Sequence, residues 1–343
     1  MIFTNRTKRI AVMAFSALCA LALTSCFGKK TAATVTKRPV TLRLAEVHAK
    51  GYPTALADAE FARLVEERTE GRVLIEVRAG GALTDNESDA IEALKVGDLA
   101  FSRVSASPVA SYVPKLNAIL LPYLYKNSDH MWRVLNSDIG QGMLEDIEKS
   151  GSGLVGLCFY DGGARNFYIN RSVKSVDDMK GLKIRVQNNQ MMIDMCSALG
   201  AIGVAGIGVN AVYGAIKDGT IDGAENNWPT YQSGGDYLAA PYYILDQHTR
   251  VPEILLASKK VMDRLTPDDR NIIHEVAKLT QEFEIARWKE KETASEQIVR
   301  ANGNTIIELS ASAHSEFQAA MQPLYDKYGR DYTSIINSIK NMN

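Results

Sequence analysis

The stretch CFYDGGARNFYINRSVKSVDDMKGLKIRVQ, residues 158–187, reads as strand, polar turn, second strand, short helix and third strand. It carries two arginines, Arg165 and Arg185, inside strand-like segments where a charge is expensive. Arg185 lies in Leu182-Lys183-Ile184-Arg185-Val186, between apolar neighbours. A guanidinium near a core must be paired, because its desolvation cost is large. Its rigid fork of donors also matches a carboxylate bidentately. The partner is either a protein carboxylate, giving a structural ion pair, or an anionic ligand, and the stretch alone leaves both open.

Upstream, the chain begins with a positive segment, Arg6, Lys8 and Arg9, followed by an apolar run from Ile10 to Thr24. That run is too short and wrongly flanked for a membrane span and reads as a signal peptide. Leu23-Thr24-Ser25-Cys26 resembles the lipobox of bacterial lipoproteins. That resemblance implies cleavage after residue 25 and a lipid on Cys26 that tethers the chain to a membrane without spanning it. The polar, basic segment that follows, residues 26–39, reads as a tether. Without residues 1–25 the chain keeps 36 basic against 40 acidic side chains, a net charge of −4 with histidine neutral. No basic excess points to nucleic acid. The remainder, about 318 residues, exceeds one ordinary core, so two lobes are expected. Cys158 and Cys196 remain; they could form a disulfide in an oxidising compartment, although apolar surroundings favour free buried thiols.

In chain order, Val40 to Val47, Arg72 to Arg78 and Gly97 to Phe101 read as strands. Helices are expected over Thr54 to Thr69 and, opened by a Thr84-x-x-Glu87 capping box, up to Val96. This βαβαβ pattern predicts an α/β lobe with a largely parallel sheet and a ligand beyond the carboxyl ends of its strands. His48, Glu87, Arg103 and Ser105 fall at or after such ends. One helix is expected over Ser128 to Glu148. Gly151, Gly153 and Gly156 satisfy G-x-G-x-x-G but precede a strand, the wrong context for a dinucleotide. Gly219 to Gly223 reads as a strand, and Asn226-Asn227-Trp228 as a loop that faces water or forms a polar and aromatic ligand wall. Thr266-Pro267-Asp268-Asp269 opens a helix reaching about Arg300, long enough to brace two lobes. Two terminal helices follow. The five histidines show no metal-ligand spacing, and there is no nucleophile elbow or phosphate loop, so no catalytic residue, metal or cofactor is expected.

Gly163-Ala164-Arg165, then Met179-Lys180-Gly181-Leu182-Lys183-Ile184-Arg185-Val186, then Gly219-x-Ile221-Asp222-Gly223-Ala224-Glu225-Asn226 resemble the DctP-type solute-binding subunit of tripartite ATP-independent periplasmic (TRAP) transporters. Gly97-Asp98-Leu99-Ala100-Phe101 and Leu121-Pro122-Tyr123-Leu124 fit the same family, so the resemblance covers nearly all of the mature chain. It implies a two-lobed periplasmic-binding-protein fold with a long helix spanning both lobes, and no catalysis. The implied lobes are residues 40–160 and 161–248, with 249–343 returning to the first lobe. The family's arginine pairs with the ligand carboxylate at Arg185, Arg165 assists, and Asn226 hydrogen-bonds the same end. The implied partners are an organic acid and a small and a large membrane subunit that import it with an ion gradient, at the periplasm or cell surface.

Asp222 to Tyr231, Ala164 to Tyr168 and Asp246 to Pro252 resemble the branch that binds sugar acids, hexuronates such as glucuronate and galacturonate. Its hydroxyls need fixed donors and acceptors, for which His48, Glu87, Arg103, Asn166, Gln187, Asn226, Asn227 and Trp228 are the candidates. Ala211, Asn227 and the glycines 203, 206 and 208 depart from the family pattern near the expected ligand. A keto-sugar acid or C4-dicarboxylate as ligand, a sensory co-receptor, and an enzyme acting on sugar acids are the other readings.

Overall fold

Alternating apolar and polar side chains build the first sheet. Val40–Ala45 and Val73–Arg78 run parallel, joined by the helix Pro53–Arg68. Phe101–Ser105 adds in parallel on the other side of Val40–Ala45, after the helix Glu87–Val96. Parallel neighbours require crossovers of this kind, so the βαβαβ expectation holds. Glu253–Ser258 and Leu154–Tyr160 complete five strands as antiparallel neighbours. The computed structural model describes residues 38–342. The leader, Cys26 and most of the tether expected above lie outside the described residues.

A second sheet takes Ala164–Ile169, Lys183–Arg185, Ile202–Val204, Gly223–Asn226, Tyr242–Ile244 and Thr305–Ile307. The short strand Thr249–Arg250 pairs onto Arg165 and Ala164 at its edge. The fold is therefore α/β and two-lobed. Residues 249–343 do not return wholly to the first lobe, because Thr305–Ile307 pairs with Tyr242–Ile244 in the second sheet.

The chain passes between sheets at residues 161–163 and again at 251–252. The two passages touch: a Cβ on Gly162 would collide with the Val251 carbonyl oxygen. Gly163 has φ of +62°, and a Cβ there would meet Trp288 and the Glu292 carboxylate. Only glycine fits both positions.

The helix Pro267–Ala301 runs 35 residues, about 52 Å at 1.5 Å per residue. Its first half packs Ile273, Val276 and Ala277 into the first-lobe core with Phe61 and Val65. Farther along, Trp288 meets Tyr52 and Ala55, and Val299 joins the second-lobe core with Tyr168 and Tyr243. It thus braces both lobes, as its length suggested. Thr266 caps it: the hydroxyl accepts from the Asp269 N–H at 3.1 Å and donates to the Asp269 carboxylate at 2.7 Å. Thr266→Ala should cost about 1 kcal/mol of stability, read as a lower urea midpoint; an unchanged midpoint would discount the cap.

Several expected boundaries shift. Asn86, not Thr84, caps Glu87–Val96, accepting from the Ser88 and Asp89 N–H groups. Gly97 ends that helix in the left-handed conformation, so the next strand starts at Phe101 rather than Gly97. The single helix expected from 128 to 148 is two, Ser128–Leu135 and Asp138–Lys149, because Ser137 caps the second and restarts the hydrogen bonding. The strand expected from Gly219 begins at Gly223, which carries Glu225 and Asn226 into the sheet. Asn227 is the cap of the helix Trp228–Ser233 rather than part of a loop. Three terminal helices replace two: Ala311–Ala320, Gln322–Tyr328 and Thr333–Asn341. Cys158 and Cys196 are buried and free. Among the described residues, no helix is long and apolar enough to cross a membrane.

Candidate functional site

A cleft with about 570 Å³ of empty space, part of it open to solvent, lies between the sheets. Both lobes contribute: Val47, His48, Asp85, Glu87, Ser105 and Glu253 from one side, Arg165, Arg185, Gln187, Asn226, Asn227 and Thr230 from the other. Hydrogen bonds tie the rims together around it. Asn210 Nδ2 donates to the Val47 carbonyl at 3.2 Å, Asn188 Nδ2 to Ser88 Oγ at 2.9 Å, and the Tyr52 hydroxyl pairs with that of Thr230 at 2.8 Å.

The second-lobe wall comes from three short neighbouring strands. Lys183–Arg185 pairs in parallel with Gly223–Asn226, which pairs antiparallel with Ala164–Ile169. Arg165 is 2% exposed and spends its donors within the protein. Nε and Nη2 engage the Glu225 carboxylate, and Nη1 donates to Asn226 Oδ1 at 2.9 Å. Glu225 is held there as an anion. Burial pushes its pKa up, but the charges of Arg165 and His248 outweigh that and bring it down to about 2.

Arg185 is different. It is 8% exposed, and among the described residues only its Nε has a protein partner, the Ile207 carbonyl at 2.9 Å. Arg103, Arg165 and Arg185 are buried, and Arg185 alone of the three has no carboxylate within 4 Å among the described residues. Burial lowers its pKa, against weaker opposing fields from Tyr168 and Glu225. A buried guanidinium without a counter-ion is costly. Arg185 lines the cavity, where a carboxylate would supply what the protein does not.

The first-lobe wall is organised by Arg103, which is 0% exposed. Its Nε donates to Glu46 Oε2 at 2.9 Å and its Nη1 to Glu253 Oε2 at 2.7 Å, and Glu87 completes the set of three carboxylates. Ser105 Oγ donates to Glu253 at 2.8 Å, and its N–H to Glu87 Oε1 at 3.2 Å. The other Glu87 oxygen has no protein partner among the described residues. Burial raises the pKa of Glu46, but Arg103 and His48 outweigh it and hold the group well below the usual range. Burial raises that of Glu253. His48 presents Nδ1 to an Arg103 donor at 2.7 Å and stacks on Tyr52 with ring centroids 3.9 Å apart.

The sequence-selected residues therefore divide. His48, Glu87, Arg165, Arg185, Gln187, Asn226 and Asn227 meet at the cavity. Gln187 Oε1 is buried there without a hydrogen-bond partner. Three others stand back from it. Arg103 lies behind the carboxylates it holds. Asn166 donates to the Ala164 carbonyl and the Tyr243 hydroxyl, both at 3.1 Å, and accepts from the Gln247 N–H, which uses its amide inside the lobe. Trp228, expected in a ligand wall, is 6% exposed and stacks on Tyr243 at 3.9 Å in the second-lobe core, because its helix turns that ring away from the cavity. Sequence reading missed Glu46 and Glu253. Each is a carboxylate at the border of an apolar strand, the same signal that marked Arg185. Among the described residues, no group of three or more His, Cys, Asp or Glu is placed to hold a metal.

Behind Arg165, His248 lies buried between Asp246, 2.8 Å from Nδ1, and Glu225, 3.4 Å from Nε2. Burial pulls its pKa down, but the two carboxylates outweigh that and raise it to about 9, from 6.5. A raised folded pKa gives stability that is fully present below pH 6.5 and lost as pH climbs through 9. Stability by urea denaturation should fall across that window, and His248→Gln should remove the slope. An unchanged slope in the variant would place the titration elsewhere.

Residues 44–331 match the family described as bacterial extracellular solute-binding protein, family 7 (DctP). A solute-binding protein of Chromohalobacter salexigens is 35% identical over 290 residues, 84% of this chain and 84% of that protein. A TRAP periplasmic solute-binding protein from Xanthobacter autotrophicus, solved with bound β-D-galacturonate, is similar with a TM-score of 0.84 at 36% identity, covering 88% of this chain and 100% of that one. Another from Pseudomonas putida, solved with bound D-glucuronate, has a TM-score of 0.85 at 34% identity over 88% of this chain and 97% of that one.

Proposed function

This chain belongs to the DctP family of bacterial extracellular solute-binding proteins, and from that premise we propose that it captures a hexuronate, such as glucuronate or galacturonate, outside the cytoplasm. It hands this ligand to the small and large membrane subunits of an ion-gradient-driven TRAP transporter and performs no chemistry on it. The observation that carries the reading is the buried Arg185 guanidinium, which lacks a carboxylate partner among the described residues and lines the cavity. The ligand carboxylate takes that place. The free Glu87 oxygen, the orphan Gln187 Oε1, His48 and Asn226 then serve the ring hydroxyls. Arg165 stiffens this end through Glu225 and Asn226 rather than carrying the ligand charge itself. The similar proteins holding galacturonate and glucuronate support the same ligand class.

The first lobe, residues 40–160, and the second, residues 161–248, close by bending at 161–163 and 251–252. The ligand drives closure by its greater affinity for the closed form. After removal of residues 1–25, a lipid on Cys26 anchors the chain, with residues 26–39 as its tether.

The test is a thermal-shift and calorimetric comparison on protein beginning at Phe27. The part from Pro39 onward forms one compact unit with its own cores, so it suits such work. Glucuronate or galacturonate should raise the melting temperature by mass action. Stabilisation by succinate with none from any uronate would reject the proposal.

A further inference from the structure

The two walls of the cavity carry opposite charge. On the first lobe, one guanidinium, Arg103, serves three carboxylates, Glu46, Glu87 and Glu253, so acidic groups outnumber basic ones in the cluster. Two of those carboxylates, Glu87 and Glu253, line the cavity. On the second lobe, Arg165 is balanced by Glu225, while Arg185 has no counter-ion among the described residues. The imidazole of His248 behind them is flanked by Asp246 and Glu225, and its raised pKa keeps it a cation at neutral pH. The second-lobe wall is thus positive and the first-lobe wall negative.

We propose that this polarity selects acids charged at one end only: the Arg103-centred carboxylate cluster repels a second ligand carboxylate and accepts hydroxyl hydrogens in its place. Arg103 cannot relieve the repulsion. Its donors are already committed to Glu46, Glu87, Glu253 and His48, and it has no exposed surface from which to turn toward a ligand. Among the described residues, Glu87 keeps one oxygen without a partner, since Arg103 and Ser105 both use the other, and a carboxylate oxygen can only accept. A sugar hydroxyl donates to it. A carboxylate brings a second acceptor and a like charge, which costs several-fold more in a desolvated site than in water. This inference rests on the uronate reading and names what that site excludes.

Galacturonate and galactarate make the test: the second carries a carboxylate in place of the aldehyde carbon and is therefore open-chain, so variants at Glu87 are needed to separate charge from shape. Calorimetry on the protein beginning at Phe27 should find galactarate weaker on the order of 100-fold, the scale of one like-charge juxtaposition. Glu87→Gln should narrow that gap by about tenfold with an absolute gain in galactarate affinity; a gap narrowed only by loss of galacturonate affinity would overturn the inference. Glu87→Ser removes the charge without the amide and should narrow the gap in the same direction, which guards against a fold defect peculiar to glutamine. Comparable affinity for both acids in the unaltered protein would overturn this inference and leave the uronate reading standing. A gap unchanged in both variants would also overturn it, assigning the rejection to shape. Failure of galacturonate to bind the unaltered protein would overturn the uronate reading, and this inference with it.

Discussion

Arg185→Ala is expected to cost about 2–5 kcal/mol of uronate binding, the scale for truncating one partner of a buried, hydrogen-bonded charge pair. That is a loss of roughly 30- to 5,000-fold in affinity. The ligand carboxylate would still leave water but would find no cation, since the neighbouring guanidinium of Arg165 is committed to Glu225 and Asn226. Arg185→Lys restores the charge without the planar fork and should recover only part of the loss. The ligand-free protein should respond the other way. An unpaired buried charge is a burden, so Arg185→Met should raise the melting temperature of the protein without ligand. A purely structural arginine would show falling stability in every such variant. Calorimetry giving near-unaltered affinity for Arg185→Ala would remove Arg185 from the binding role.

Arg103→Ala should lower folding stability by about 3–5 kcal/mol, the range for breaking a buried ion pair from one side. Arg103 has three carboxylate partners, and Glu46 has no exposed side-chain surface. Without the guanidinium, these groups are like charges in a low-dielectric site, and they respond by taking up protons. Their folded pKa values then rise above those of the unfolded chain. A raised folded pKa adds stability below the unfolded value, near 4.5 for glutamate, and loses it as pH rises. The deficit of the variant should therefore shrink as pH falls from 7 toward 4.5. Urea denaturation at pH 7 and pH 4.5 reads both effects. A deficit equal at the two values would mean that Arg103 acts through packing rather than charge.

Much of this molecule was legible before its structure. The alternation of Val40–Ala45 and Val73–Arg78, with an amphipathic helix between, specifies parallel pairing, because parallel neighbours need a crossover. Thr266-Pro267-Asp268-Asp269 marks a helix start by local chemistry alone, and the helix begins at Pro267. Errors clustered where one residue redirects the chain. Ser137 splits a helix whose apolar stripe runs on unbroken, and Gly97 delays a strand until Phe101. Such caps depend on local backbone conformation, which hydrophobic periodicity does not record.

By itself, the sequence determined the fold class, the family, and Arg185 as a charge in need of a partner, since each follows from local pattern or from a motif carried within one segment. Only the tertiary structure decided what the other charges do. Arg165 and Glu225 are 60 positions apart, and Arg103 and Glu253 are 150 apart, so no reading of either neighbourhood could pair them. Asn166 and Trp228 looked like ligand-wall residues, yet the fold directs one into its own sheet and the other onto Tyr243. Pairing satisfied Arg165 and Arg103 and left Arg185 open. The partner of a buried charge is set by the approach of distant strands, whereas its need for a partner is set by the apolar residues beside it.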